Sequence, residues 1–352
     1  MKHIVFFLVT ILLSHYSVAQ DKQLESFVQS YASENNFNGT VLVEKDSTIL
    51  YHNSFGIADR RFNLPVNNET VFKVASITKA FTAVLILQLR EQGKLDLNKP
   101  IKNYLPDYPD KVSLRVTPHQ LLNHTSGIIL IDTVSSVENA MKYGLGLYSA
   151  PNTSDELLKS FVNDSLVNEP GTKFNYNNAE YIVLGKIIEE LYQKTFEQVL
   201  NEKILRPLGM TNSGMAQEKN IIKNLASSYF TEKNPDSLIN DIPMFIENWY
   251  AAGAMYSSPT DLLNFSNALF GLKLINKESL DLMLTAGLDD YGYGVWIRGD
   301  GDEKVMERYG SIMGLNAVWM RFLSRSTTII ILSNTNMTNL GGFATELEKN
   351  IR

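Results

Sequence analysis

The sequence predicts an α+β fold, with one antiparallel sheet made from strands at both ends of the chain. Terminal helices cover a face of that sheet, and a large helical region is inserted between the two sets of strands. Three observations carry this expectation. Short β-rich runs occur near residues 40–54 and return beyond 290. Helical apolar spacing dominates from about 76 to 289. Two more helical segments lie near the ends of the chain, at 22–34 and about 342–351. The sheet part is therefore expected at about 20–75 and 290–352, the helical part at about 76–289. No internal repeat, low-complexity tract or long linker interrupts them, and 352 residues can bury an ample core.

Residues 1–19 read as a secretory signal peptide. Lys2 and His3 precede the apolar run Ile4 to Leu13, and Ser17-Val18-Ala19 supplies the small residues of a cleavage site. The run is about half the roughly 20 residues of a membrane span. No later segment is long and apolar enough to span, so residues 20–352 are expected to be one exported domain. Leu24, Phe27, Val28 and Tyr31 then recur at helical spacing. Runs at 40–44 and 48–54, joined by Lys45-Asp46-Ser47, read as a hairpin. Residues 80–92 are strongly apolar and stop at Gly93. Tyr181, Val183, Leu184, Ile187, Ile188 and Leu191 mark a helix over 180–191. Ser258 followed by Pro259 is a helix start, a capping residue before proline. Strands are expected at 293–298, 305–309, 317–322 and 327–333.

Composition excludes several classes. Apolar residues make up 44% and charged residues 20%, too apolar for a disordered chain. Without cysteine there is no disulfide scaffold, cysteine zinc site, iron–sulfur cluster or cysteine nucleophile. The net charge of −6 gives no electrostatic reason to hold nucleic acid. An exported chain lacking disulfides suits a bacterial periplasm or surface. Histidine is scarce, at positions 3, 15, 52, 119 and 124 only. There is no Gly-x-Ser-x-Gly elbow, phosphate-binding loop, dinucleotide fingerprint or zinc-binding His-Glu-x-x-His. No metal or organic cofactor is implied.

One segment carries chemistry, Phe72-Lys73-Val74-Ala75-Ser76-Ile77-Thr78-Lys79-Ala80-Phe81. Ser76 and Lys79 share a helix face at the start of an apolar helix. Free N–H groups and the helix dipole there favour a developing anion. A buried lysine one turn on can take the serine proton. The bland alternative is a capped helix with a surface lysine, but Ile77, Ala80, Phe81, Ala83 and Val84 indicate a buried helix.

Here the chain resembles the serine β-lactamase and penicillin-binding-protein superfamily, in its class C β-lactamase, D-alanyl-D-alanine carboxypeptidase and esterase branch. The similarity runs from about 36 to 335. It rests on Phe72–Phe81, on Leu121-Leu122-Asn123-His124-Thr125-Ser126-Gly127-Ile128, and on Pro170–Asn178. Arg206-Pro207-Leu208-Gly209-Met210 and Ala251–Leu262 add two further signatures. The resemblance implies a β-lactamase/transpeptidase-like fold with a five-stranded antiparallel sheet. It implies Ser76 as acylated nucleophile, Lys79 as proton acceptor, Tyr176 as base or shuttle, and Asn178 as the residue orienting lysine and substrate. His124 would be a loop histidine that braces the cleft. In the third motif Gly310 matches, but Arg308 stands where relatives carry lysine or histidine. Gly310 and Arg308 fall on one face of the strand. Arg308 could hold a substrate carboxylate, and the N–H groups of Ser76 and Ser311 would form the oxyanion hole.

The function expected is an exported serine hydrolase acting on a small peptide, amide or ester, possibly one with a free carboxylate. A β-lactamase proper is less favoured, because Lys-Thr-Gly is absent. A non-catalytic peptidoglycan or β-lactam binder is the alternative from another class.

Overall fold

A computed structural model describes residues 22–131, 137–161, 165–231 and 237–351. The signal-peptide expectation for 1–19 lies outside the described residues. The main sheet is antiparallel throughout. Its strands are β1 (Gly39–Lys45), β2 (Thr48–Phe55), β3 (Trp296–Arg298), β4 (Val305–Ile312), β5 (Leu315–Phe322) and β6 (Thr327–Ser333). Their spatial order is β3-β4-β5-β6-β1-β2. The N-terminal hairpin thus joins the C-terminal meander through β1 and β6, with Val41 opposite Ile331. Asp46 and Ser47 both take left-handed conformations, as a tight two-residue hairpin turn requires.

Six strands form, where the resemblance implied five. The β-rich runs read from the sequence number six and match these strands one for one, but the edge strand β3 starts later than residue 293. Gly294 turns the chain at φ +75°, and Tyr291 bridges back to Trp296, so residues 291–296 fold over before pairing begins. The middle of the chain also holds a small three-stranded sheet of Phe72–Lys73, Met255–Ser257 and Gly214–Met215.

Period-two alternation sorts the sheet into two apolar faces. Val41, Val43, Ile329 and Ile331 meet Leu24 and Val28 of α1 (22–34), and Phe343 and Leu347 of α5 (Leu340–Lys349). Leu42, Trp319, Ile330 and Leu332 face the helical region. Because both faces are covered, β6 is buried along its whole length, with the apolar run Ile329 to Leu332 at its centre.

The helical region centres on α2 (Thr78–Glu91), α3 (Asn178–Tyr192) and α4 (Pro259–Phe270). Helix α2 is buried from Thr78 through Leu87, which matches the apolar stretch Ala83 to Leu87, while its charged residues Arg90 and Glu91 fall at the end. Ser258 caps α4 by accepting from the Asp261 N–H, with Pro259 at the first turn. Phe81 of α2 stacks on Phe265 of α4 at 3.7 Å, and Phe265 meets Trp319 of β5 edge-on at 5.5 Å. This stack ties the helical region to the sheet. All three side chains are fully buried, so Phe81→Ala is expected to cost about 3–5 kcal/mol. Urea denaturation checks this, since the midpoint should fall with the slope unchanged.

Candidate active site

Ser76 lies in the tight turn Ala75–Ile77, which runs directly into α2. The turn is pinned before it begins. Phe72–Lys73 pairs with Met255–Ser257, and the Val74 N–H donates to Met255 O. Ala75 takes φ +45°, an uncommon conformation for a residue with a Cβ. Thr78 holds it there, donating its hydroxyl to Ala75 O at 2.7 Å while accepting from the Met255 N–H. The serine is thereby presented at the N-terminus of a buried helix.

Lys79 lies one turn further on and has no exposed surface. Its Nζ donates to Ser76 Oγ at 3.2 Å, Asn178 Oδ1 at 2.5 Å and Ala252 O at 2.9 Å. Helix α3 brings Asn178 in at its first turn, capped by Asn177, which accepts from the Ala179 N–H. The short helix Tyr250–Gly253 supplies Ala252 O, and it lies close against α3 because residue 185 is glycine. A Cβ there would stand 2.4 Å from the Tyr250 ring.

Tyr176 directly precedes Asn177, the extended cap residue of α3. Its hydroxyl donates to Ser76 Oγ at 2.8 Å. The segment is held by the His124–Ile129 loop. Asn175 N–H donates to His124 O, Gly171 N–H to Thr125 O, and the Asn177 amide to Ile128 O and Ile129 O. His124 is completely buried, with its ring 4.4 Å from that of Tyr176. Its Nδ1 meets Glu180 of α3, which also accepts from Ser126 N–H and Oγ. Burial, then the charges of Lys79 and Arg308, hold the imidazole pKa well below its usual value. Burial pushes the Glu180 carboxyl up against the opposing pull of Ser126. The pair is thus favoured in its neutral form, as a brace.

Strand β4 closes the site from the sheet side. Gly310 presses against the serine turn: a Cβ there would stand 2.2 Å from Val74 O and 3.3 Å from Ser76 N. Arg308 faces the site, as the register predicts, but has no exposed surface. Its Nε donates to Ser76 O at 2.6 Å, Nη1 to Tyr291 OH at 3.0 Å and Nη2 to Tyr176 OH at 2.7 Å. Ser311, one residue past Gly310, is exposed.

The charges act on Tyr176. Burial alone would raise its phenol pKa. Arg308 and then Lys79 outweigh that, with the hydrogen bonds shared with Lys79 and Ser76 adding, and bring it down to about 8. Ser76, Lys79, Tyr176, Asn178, Arg308 and Gly310 therefore meet in one place. Sequence reasoning missed Tyr291, fully buried beneath Arg308, and Trp296, whose ring stacks at 5.8 Å on Tyr176. Both sit in or beside the late turn before β3, where no motif marks them. Ala252 O was legible only as part of a signature, because a carbonyl role leaves no side-chain trace.

A sheet with helices on both faces, carrying a serine and a lysine one turn apart, defines a serine-hydrolase-type enzyme. The chain belongs to the Beta-lactamase family, whose profile matches residues 24–348. A Bacillus subtilis (strain 168) protein described as penicillin-binding protein PbpX is 31% identical over 318 residues, covering 89% of this chain and 75% of that one. The teichoic acid D-alanine hydrolase of Staphylococcus aureus (strain MRSA252) is 25% identical, over 77% of this chain and 65% of its own. The octameric penicillin-binding protein homologue from Pyrococcus abyssi superposes with a TM-score of 0.78 at 27% identity. That match covers 93% of this chain and 77% of the homologue. Among the described residues no helix is long and apolar enough to cross a membrane.

Proposed function

We propose that this enzyme is exported and hydrolyses a small peptide, amide or ester through a Ser76 acyl-enzyme, with D-alanyl compounds as the first substrates to try. The observation that carries the reading is the placement of Ser76 Oγ within hydrogen-bonding reach of both Lys79 Nζ and Tyr176 OH. Oγ attacks the carbonyl carbon and loses its proton to the Lys79–Tyr176 pair, which passes it to the leaving group. Water then attacks the acyl carbon, gives its proton to the same pair and regenerates the serine. Asn178 holds Lys79 in place. The N–H groups of Ser76 and Ser311 would receive the oxyanion. The D-alanine hydrolase among the relatives supports the choice of first substrates.

Mass spectrometry after treatment with a fluorophosphonate and with penicillin tests this. One adduct on Ser76 is expected, together with turnover of D-Ala-D-Ala peptides or p-nitrophenyl esters above that of nitrocefin. Dominant nitrocefin turnover would mark a β-lactamase proper. An adduct-free protein that still binds peptidoglycan fragments would mark a non-catalytic binder.

A further inference from the structure

We propose that Glu180 is a positioning residue that works as a carboxylic acid: its Oε2–H donates to His124 Nδ1, and that bond fixes the loop against which the Tyr176 segment is laid. The placement of the proton stands by itself, and its effect on rate rests on the acyl-enzyme reading above.

The hydrogen bonds around the carboxyl set where the proton lies. Asn177 N–H donates to His124 Nδ1 at 3.3 Å, so that nitrogen presents its lone pair and carries no hydrogen. Glu180 Oε2 meets the same Nδ1. A carboxylate oxygen there would set lone pair against lone pair, so the hydrogen between the two atoms belongs to Oε2. The other oxygen, Oε1, only accepts. It takes Ser126 N–H at 3.2 Å and the Ser126 hydroxyl, whose own lone pair takes the Ile128 N–H at 3.1 Å. One oxygen gives a hydrogen bond and the other receives two, which is the pattern of a protonated carboxyl.

The far side of the imidazole agrees. With Nδ1 bare, a neutral ring carries its hydrogen on Nε2. That atom is buried and has no hydrogen-bond partner. Phe174, Tyr176, Tyr181 and Tyr291 enclose the ring, with centroids 4.4 to 5.9 Å away. A neutral N–H can rest against aromatic rings. An imidazolium would bring a buried charge with one N–H unanswered. It would also add a third cation beside Lys79 of α2 and Arg308 of β4, the two charges that bear on this ring. Burial raises the Glu180 carboxyl in spite of Ser126 and Lys79, which points the same way.

The consequence for the site follows from what His124 holds. Asn175 and Asn177 flank Tyr176, and both donate their N–H to His124, one to its carbonyl at 2.8 Å and one to Nδ1. His124 itself sits at φ +59°, an uncommon conformation for a residue with a Cβ. Glu180, in the first turn of α3, ties this residue and Ser126 to the helix that also carries Asn178.

The test begins with the wild-type protein at neutral pH. Long-range proton–nitrogen NMR correlations should show His124 protonated at Nε2 and bare at Nδ1, and a protonated Nδ1 overturns the proposal. The infrared difference between wild type and Glu180→Gln should contain the C=O stretch of a protonated carboxyl. Carboxylate bands in its place overturn the proposal as well. Kinetics then test the positioning. Glu180→Leu, which removes donor and acceptor together, should lower kcat by about tenfold or more at nearly unchanged KM. Glu180→Gln should restore most of that loss, because an amide gives an N–H to His124 Nδ1 and still offers an oxygen to Ser126. A glutamine variant as slow as the leucine variant, or a leucine variant as fast as wild type, overturns the positioning role. Should Glu180→Leu fail to fold, the glutamine variant and the wild-type NMR still decide. A missing Ser76 adduct would defeat the acyl-enzyme reading instead, and the NMR result does not depend on it.

Discussion

Ser76→Ala is expected to lower kcat/KM by about 10⁴-fold or more while leaving the folded state intact. The reason lies in who depends on the hydroxyl. Its Oγ accepts from Lys79 and Tyr176, and both keep other partners when it is gone. Lys79 retains Asn178 and Ala252 O, and Tyr176 retains Arg308. No buried charge is orphaned, so the urea midpoint should stay close to that of wild type. A variant with full turnover would remove Ser76 from the chemistry altogether.

Gly310→Ala is expected to damage both stability and rate. Its new methyl would lie 2.2 Å from Val74 O, and that carbonyl belongs to the backbone that fixes the serine. Neither side can yield cheaply. Gly310 pairs with Ala317 in mid-sheet, and Val74 is tied to Met255. Overpacking of this kind costs about 1–3 kcal/mol. Displacing Ser76 by even an ångström from its base costs on the order of 10²-fold in rate. Paired denaturation and turnover measurements check the two effects. A variant with wild-type values for both would mean that strand and turn are looser than their contacts indicate.

The glycine shows how much of the site was legible in the sequence. Gly310 was legible as a motif match, but that the backbone pressed against it is the nucleophile's own turn was not. Ser76, Lys79, Tyr176 and Asn178 were legible because a motif fixes their spacing. The helix and strand periodicities likewise placed the elements of both apolar faces. Burial was harder to read. Arg308 looked like a cation available to substrate, since register gives the face but not what covers it. Of the two aromatics around it, Tyr291 lies just ahead of the stretch read as a strand, and Trp296 opens the strand that forms. The edge strand was read in the same stretch but three residues too early, because Gly294 turns the chain before pairing begins.

The pairing of β1 with β6 also bears on how the chain reaches this state. Gly39 meets Ser333, so a central ladder of the sheet waits for residues made long after β1. A nascent chain holds the β1–β2 hairpin and then the whole helical region before the partner strand exists. Such high contact order makes closure slow, and an unpaired apolar β1 is meanwhile an edge open to aggregation. Truncation anywhere before Thr327 therefore removes more than a terminal strand. It leaves the sheet without the piece that joins its halves.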